Sequence, residues 1–424
     1  RKDLKKLKNF ITDPQWIWSL SYDIMINDAL SKDLIKYIEE IKASNLDYKE
    51  IERIINEIKN KIYEAGTKAI QGAPFKYQSQ LFEMNHLIET AQILKDLKEW
   101  KYKPVAGKKF TINERGKIRH ITSNNMVDKT INHLLCDNVL SPAISPYLIY
   151  DNGASQKNRG VAFHRKRFET HLHQYYRKYK SNEGYILLID FSGYYASIPH
   201  DLCLKKLQYF LRKVNPEEAK ITMWILKNLF DVFNIDNKNG KGVDIGSQPS
   251  QNIGISYPSQ IDNYIKIVRG CKYYGRYTDD SYIIHQDKEF LKQLLKEIKI
   301  ISSKLGLIVN DRKTRIVKLS QQFKVLQINY SLTPTGRIIK KISTKTVTRE
   351  RRKLKAYKRL LDKGKMKSND IENSFKSWMA GNYKKMSMQQ ISNMSQLYYD
   401  LFKEVPKWKN HGKLRYLMEH NLKT

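Results

Sequence analysis

The stretch CKYYGRYTDDSYIIHQ, residues 271 to 286, decides how this chain folds. Two runs rich in Tyr and Ile, the composition of β-strands, flank an adjacent pair of carboxylates, Asp279 and Asp280. A reversal at the pair makes the segment a hairpin with both acids at its tip. A surface turn would need nothing more. A third acid changes the reading. The run GYILLIDF (184 to 191) is continuously apolar, as in a strand buried on both faces, and ends in Asp190. If the two strands are neighbours in one sheet, all three acids meet at one edge. Close carboxylates repel and require a neutralising cation. Hard divalent ions with oxygen ligands suit such a set, most naturally two Mg²⁺ ions about 3.5–4 Å apart.

Charge narrows the chemistry. The chain has 424 residues, with 77 Lys+Arg against 43 Asp+Glu and a formal net charge of +34. Such an excess calls for a polyanionic partner. The 27 tyrosines often lie beside cations, as in HQYYRKYK (173 to 180), which suits stacking on exposed bases. No apolar run approaches the ~18 residues of a membrane span, and the opening residues lack a secretory apolar core. Cys136, Cys203 and Cys271 are far apart without C-x-x-C spacing, which points to a reducing cytoplasm and away from structural zinc. His171-x-His173 also lacks helical metal spacing. Acid-held metals in a cationic body describe nucleotidyl transfer, in which a 3′-hydroxyl attacks a nucleoside triphosphate.

Along the chain, residues 1 to about 95 read as helices. Leu and Ile recur at three- and four-residue steps through 31 to 66, and Gly66 is expected to end the run. AGKKFTINERGKIRHITS (106 to 123) reads as a β-hairpin around NERG. Helices are expected at about 201 to 233 and at 288 to 307, and from about 342 the chain is helical and very basic. SFKSWMAGNYKKMSMQQISNMSQLYYDLF has the spacing of a packed helix pair.

Over roughly residues 100 to 340 these motifs resemble those of reverse transcriptases. LLIDFSGYYASIPH is similar to the family's first palm motif, which implies a metal ligand at Asp190 and, five positions on, an aromatic sugar gate at Tyr195. YTDD (277 to 280) resembles the diagnostic hairpin, with Asp279 and Asp280 as catalytic acids. GLIVNDRKT resembles the next motif, whose lysine, here Lys313, protonates pyrophosphate. FKVLQINY (323 to 330) stands where the primer grip is expected, with Leu326 and Gln327 at its centre. GKIRHI resembles the fingers strand whose arginine, here Arg119, clamps the triphosphate. The family's second lysine would fall near Asn113 or Glu114, so Lys109 or Lys117 substitutes, or no residue does. IGSQPSQ (245 to 251) resembles the Ile-Gly-x-x-x-Ser-Gln motif of diversity-generating retroelements and their defence-associated prokaryotic relatives. It implies Gly246 against the nascent base pair and Gln251 near the templating base.

The resemblance implies an α+β right-hand polymerase with an antiparallel palm sheet. Its expected parts are a helical N-terminal extension (1–95), fingers (96–180), palm (181–335) and a helical, basic thumb (336–424). It implies RNA-directed DNA synthesis from dNTPs with two Mg²⁺ ions, a structured non-coding RNA as template and cDNA as product. Without an RNase H or endonuclease signature, template, primer or targeting is expected to come from a structured non-coding RNA and an accessory protein, and a homo-oligomer is a further expected partner. Antiphage defence and sequence diversification are both open settings. A catalytically silent RNA-binding scaffold is the alternative.

Overall fold

The computed structural model describes residues 48–114, 117–237 and 239–408, in two compact units, Arg1–Trp100 and Lys101–Thr424. The expected helices before residue 48 and the chain after 408 lie outside the described residues.

In the first unit, helices α1 (Tyr48–Gln71), α2 (Tyr77–Met84) and α3 (His86–Lys98) bury Ile62, Ala69, Phe82 and Ile93. Helix α1 does not end at Gly66. It runs five residues further, because this glycine serves close packing. A Cβ at Gly66 would come 2.2 Å from Nε2 of His86, whose ring stacks on Tyr63 with centroids 4.0 Å apart.

The second unit opens with a hairpin, β1 (Lys108–Glu114) and β2 (Lys117–Ser123), in the register Lys108↔Ser123 to Glu114↔Lys117. Helices α4 (Met126–Leu135) and α5 (Val161–Tyr179) lead into the central strand, β3 (Tyr185–Ile189). The stretch expected to be helical at about 201 to 233 consists of two helices, α6 (His200–Leu211) and α7 (Pro216–Asn237). The division follows from Asn215, whose Oδ1 accepts the Glu217 N–H at 2.9 Å, with Pro216 opening the new helix. Next come α8 (Gln248–Ser256), β4 (Tyr274–Tyr277), β5 (Asp280–His285), α9 (Lys288–Lys304) and β6 (Arg315–Lys318). Strands β4, β5, β3 and β6 lie in that order, every pair antiparallel. The apolar run of β3 thus becomes an interior strand, as its lack of alternation requires.

Helix α5 covers one face of this sheet. Its Phe168 lies edge-on to Tyr282 of β5, centroids 4.8 Å apart, and to Tyr330 at 4.9 Å. Tyr330 belongs to β8 (Ile328–Leu332), the middle of a second sheet with β7 (Phe323–Val325) and β9 (Ile338–Ile342). Burying each such aromatic contributes about 1.5–3 kcal/mol. Three helices finish the described chain: α10 (Thr344–Asp362), α11 (Ser368–Asn382) and α12 (Met388–Phe402). The last two form the expected pair, with Phe375 stacked on Tyr398 at 4.6 Å and Ser387–Gln390 closing a capping box.

Candidate active site

Register brings the acids together. Strand β3 pairs with β5 through Ile189↔Ser281, so Asp190, one step beyond, faces Asp280. Strands β4 and β5 close on Tyr277↔Asp280, which leaves Thr278 and Asp279 as a two-residue turn. Thr278 adopts φ +56°, the left-handed conformation such a reversal needs and a β-branched residue disfavours.

Asp190 is held from three sides. Its carbonyl accepts the Asn310 backbone N–H at 2.8 Å, and the Asn310 amide donates to Oδ1 at 3.3 Å. The Lys313 ammonium bridges both carboxylate oxygens at 2.8 and 2.9 Å. That hydrogen bond, with the other two acids nearby, raises the Lys313 pKa. Burial by surrounding protein, then the charges of Asp279 and Asp190, push Asp280 up to about 6, and the solvent at its open face tempers that repulsion. Among the described residues no three His, Cys, Asp or Glu side chains form a ready-made ion site. The donor set nevertheless fits a hard divalent cation: oxygen ligands only, mutually repelling, with an ammonium now neutralising Asp190.

Beside the acids, Gly193 turns the chain at φ +55° and starts the short helix Tyr194–Ser197. The buried Tyr194 hydroxyl donates to the Gly254 carbonyl at 2.6 Å. Its half-buried neighbour Tyr195 lies over the bare Cα of Gly254, where an added Cβ would come 2.7 Å from its hydroxyl. Burial, reinforced by Asp279, pushes the Tyr195 phenol up to about 12, so it stays protonated.

The family model for reverse transcriptase (RNA-dependent DNA polymerase) matches residues 106–330, the segment that carries this site. This chain belongs to the reverse transcriptase family.

Among solved structures, the reverse transcriptase is similar to telomerases from two Candida species. Apo telomerase from Candida tropicalis truncated from its C-terminal domain is 16% identical, with 58% of each chain covered and a TM-score of 0.42. Telomerase from Candida albicans in complex with a TWJ fragment of telomeric RNA is 13% identical over 79% of this chain and 68% of that one, at 0.43. Apo telomerase from Candida tropicalis is 14% identical over 78% and 70%, at 0.44. The chain thus spans 58% of the length of the first of these. No curated protein matches the sequence.

The other motif residues of the reverse transcriptase lie on the β1–β2 hairpin, on α8 and the loop before it, and in the β7–β8 turn. Gly246 has φ +141°, and a Cβ there would come 2.8 Å from the Thr122 carbonyl of β2. The Thr122 N–H in turn donates to the Ile245 carbonyl at 3.4 Å, so this loop backs onto the β1–β2 hairpin. Ser247 caps α8 by accepting the Ser250 N–H, and both hydroxyls donate to Asp244 Oδ1. The serines of IGSQPSQ therefore build the helix start, and Gln251 stands exposed on its first turn. Lys109 is exposed on β1, and Lys117 and Arg119 lie on β2 by backbone position; the side chains of Lys117 and Arg119 lie outside the described residues. Leu326 and Gln327 form the tight β7–β8 turn at φ +42° and +72°, with the Leu326 carbonyl accepting from Arg165 Nη2 at 2.6 Å.

Two elements of the site escaped sequence reasoning. Asn310, which orients Asp190, is visible only as a polar residue in GLIVNDRKT. Arg276, buried one step before Tyr277, could have been noticed as a cation inside an apolar strand. His171 proves structural: its ring bonds the Tyr282 hydroxyl at 2.9 Å and faces Asp151, which also pairs with Arg167 at 2.6 Å and Lys266 at 2.9 Å.

Proposed function

We propose that this reverse transcriptase copies a dedicated, structured non-coding RNA into cDNA from dNTPs, with Asp190, Asp279 and Asp280 holding two Mg²⁺ ions. The observation that carries this reading is the convergence of three acids at one sheet edge beside Tyr195. When bound, divalent ions supply activation of the primer hydroxyl and neutralisation of triphosphate charge.

The chain's own residues do the rest. Tyr195, fixed by the Tyr194 anchor, presents a neutral ring edge where a 2′-hydroxyl would fall, and so selects deoxynucleotides. Lys313 moves from Asp190 onto the leaving pyrophosphate and donates a proton there. Lys117 or Lys109 with Arg119 grips the triphosphate, Gly246 and Gln251 line the nascent pair, and the Leu326–Gln327 turn steadies the primer strand. In this reading residues 1–95 are a helical extension, 96–180 serve as fingers, 181–335 as palm and 336–424 as thumb. The expected place of work is the cytoplasm, in antiphage defence or a diversity-generating retroelement, with an accessory protein or a second copy as partner.

Purified protein carrying its native RNA should, with dNTPs and Mg²⁺, make DNA matching that RNA. Errors concentrated at adenines would favour diversification, and repetitive or untemplated product would favour defence. The second reading is a catalytically silent RNA-binding scaffold. Tight RNA binding with no DNA under any metal would favour it.

A further inference from the structure

Arg276 lies inside β4 and is 1% exposed. A guanidinium keeps its charge when buried, so every N–H needs an acceptor. Asp262, fully buried, takes part of the fork: Nη2 to Oδ2 at 2.7 Å and Nε to Oδ1 at 2.8 Å. The Tyr274 hydroxyl steadies the same carboxylate at 2.5 Å. The remaining hydrogens reach main-chain carbonyls. Nη2 donates to Ile255 at 2.7 Å, and Nη1 donates to Thr278 at 2.9 Å and reaches the Gly254 carbonyl at 3.5 Å.

Sequence explains why the Gly254 carbonyl is open. Four residues after Gly254 stands Pro258, which has no N–H to continue the helical ladder. The Gly254 carbonyl is left for Tyr194 and Arg276, the Ile255 carbonyl accepts from Arg276 and from the Asn152 amide at 3.1 Å, and the negative end of the helix favours a cation. An apolar pair of similar volume would hold a core equally well. It could not bind the turn carbonyl next to Asp279 and the end of α8 at once.

We propose that Arg276, paired with Asp262, is the positioning residue of the metal site: it fixes the Thr278 carbonyl, aims Asp279, and ties that turn to the helix bearing Gln251 and seating Tyr195. This rests on the metal-binding role given above to Asp190 and Asp279, so the test reads metal binding directly. Mn²⁺ binding to the full chain without nucleic acid would be followed by electron paramagnetic resonance, with Asp279→Ala as baseline.

Arg276→Lys keeps the charge and loses the fork. It is expected to bind Mn²⁺ at least about tenfold more weakly, as for other residues that orient metal ligands. Its affinity for an RNA–DNA hybrid should not change. Tyr274→Phe, which leaves the ion pair intact, should weaken Mn²⁺ binding by less, in the same direction. Wild-type affinity in folded Arg276→Lys, or in Tyr274→Phe should the lysine variant not fold, overturns the positioning role alone. A wild type that binds no more Mn²⁺ than Asp279→Ala overturns the metal reading and this assignment with it.

Discussion

His164 should make the protein acid-sensitive, and the size of the effect follows from where its ring lies. The side chain is 1% exposed, with its edge toward Tyr277 at 5.7 Å and Tyr282 at 5.5 Å between centroids. Its Nδ1 has no hydrogen-bond partner. Burial, opposed by Asp151, lowers its pKa from 6.5 to about 4. Between those values the unfolded chain binds the extra proton, so stability falls as pH drops from 6.5 toward 4. The full difference corresponds to about 3 kcal/mol, of which about 2 is lost by about pH 5. His164→Phe removes both the titration and the unpartnered nitrogen, at about 1 kcal/mol of overpacking independent of pH. Urea unfolding of both proteins near neutral pH and near pH 5 isolates the contribution, because the other titrating groups are common to the two. The wild type should lose about 2 kcal/mol more than the variant on acidification. Equal losses would refute a buried, neutral His164 against Tyr277 and Tyr282.

Gly246→Ala imposes a side chain at φ +141° and drives it against the Thr122 carbonyl, a strain of about 1–3 kcal/mol. Since relief requires moving the β1–β2 hairpin, steady-state kinetics should show a raised KM for dNTP with only a small fall in Tm. Gly66→Ala should destabilise the protein by about 1–3 kcal/mol despite alanine's better helix propensity, because the new methyl meets the His86 ring. Thermal unfolding of the full chain reads the sign, and a stabilised variant would contradict the packing.

What the sequence makes legible here is what neighbours in the chain decide. The strands around Thr278–Asp279 show in their composition, β3 in its unbroken apolar run, and α9 and the α11–α12 pair in their helical spacing. The meeting of Asp190 with Asp280 was legible too, since an interior strand ending in an acid has few places to go. What stayed hidden depends on partners far along the chain. Gly66 looks like a helix stop until His86, twenty residues later, is seen to occupy the space beside it. The Asn215–Pro216 break is a local signal, a side-chain cap followed by a proline at the first helical position. Asn310 on Asp190 and Asp262 on Arg276 are long-range hydrogen bonds between polar residues that in sequence resemble any others. In IGSQPSQ, Ser247 turns out to cap the helix and Ser250 to bond Asp244 beside it, leaving Gln251 as the exposed polar residue of the motif.

The most direct measurement is incorporation of dNTPs on a primed RNA template by the purified full-length protein, with Mg²⁺ and with the metal removed by chelation, beside Asp190→Asn and Asp279→Ala. DNA made by the wild type with Mg²⁺, and lost both on chelation and in each folded variant, is the expected result. Persistent synthesis in either variant, or none in a wild type that binds the primed template, would contradict a metal-dependent polymerase built on these acids.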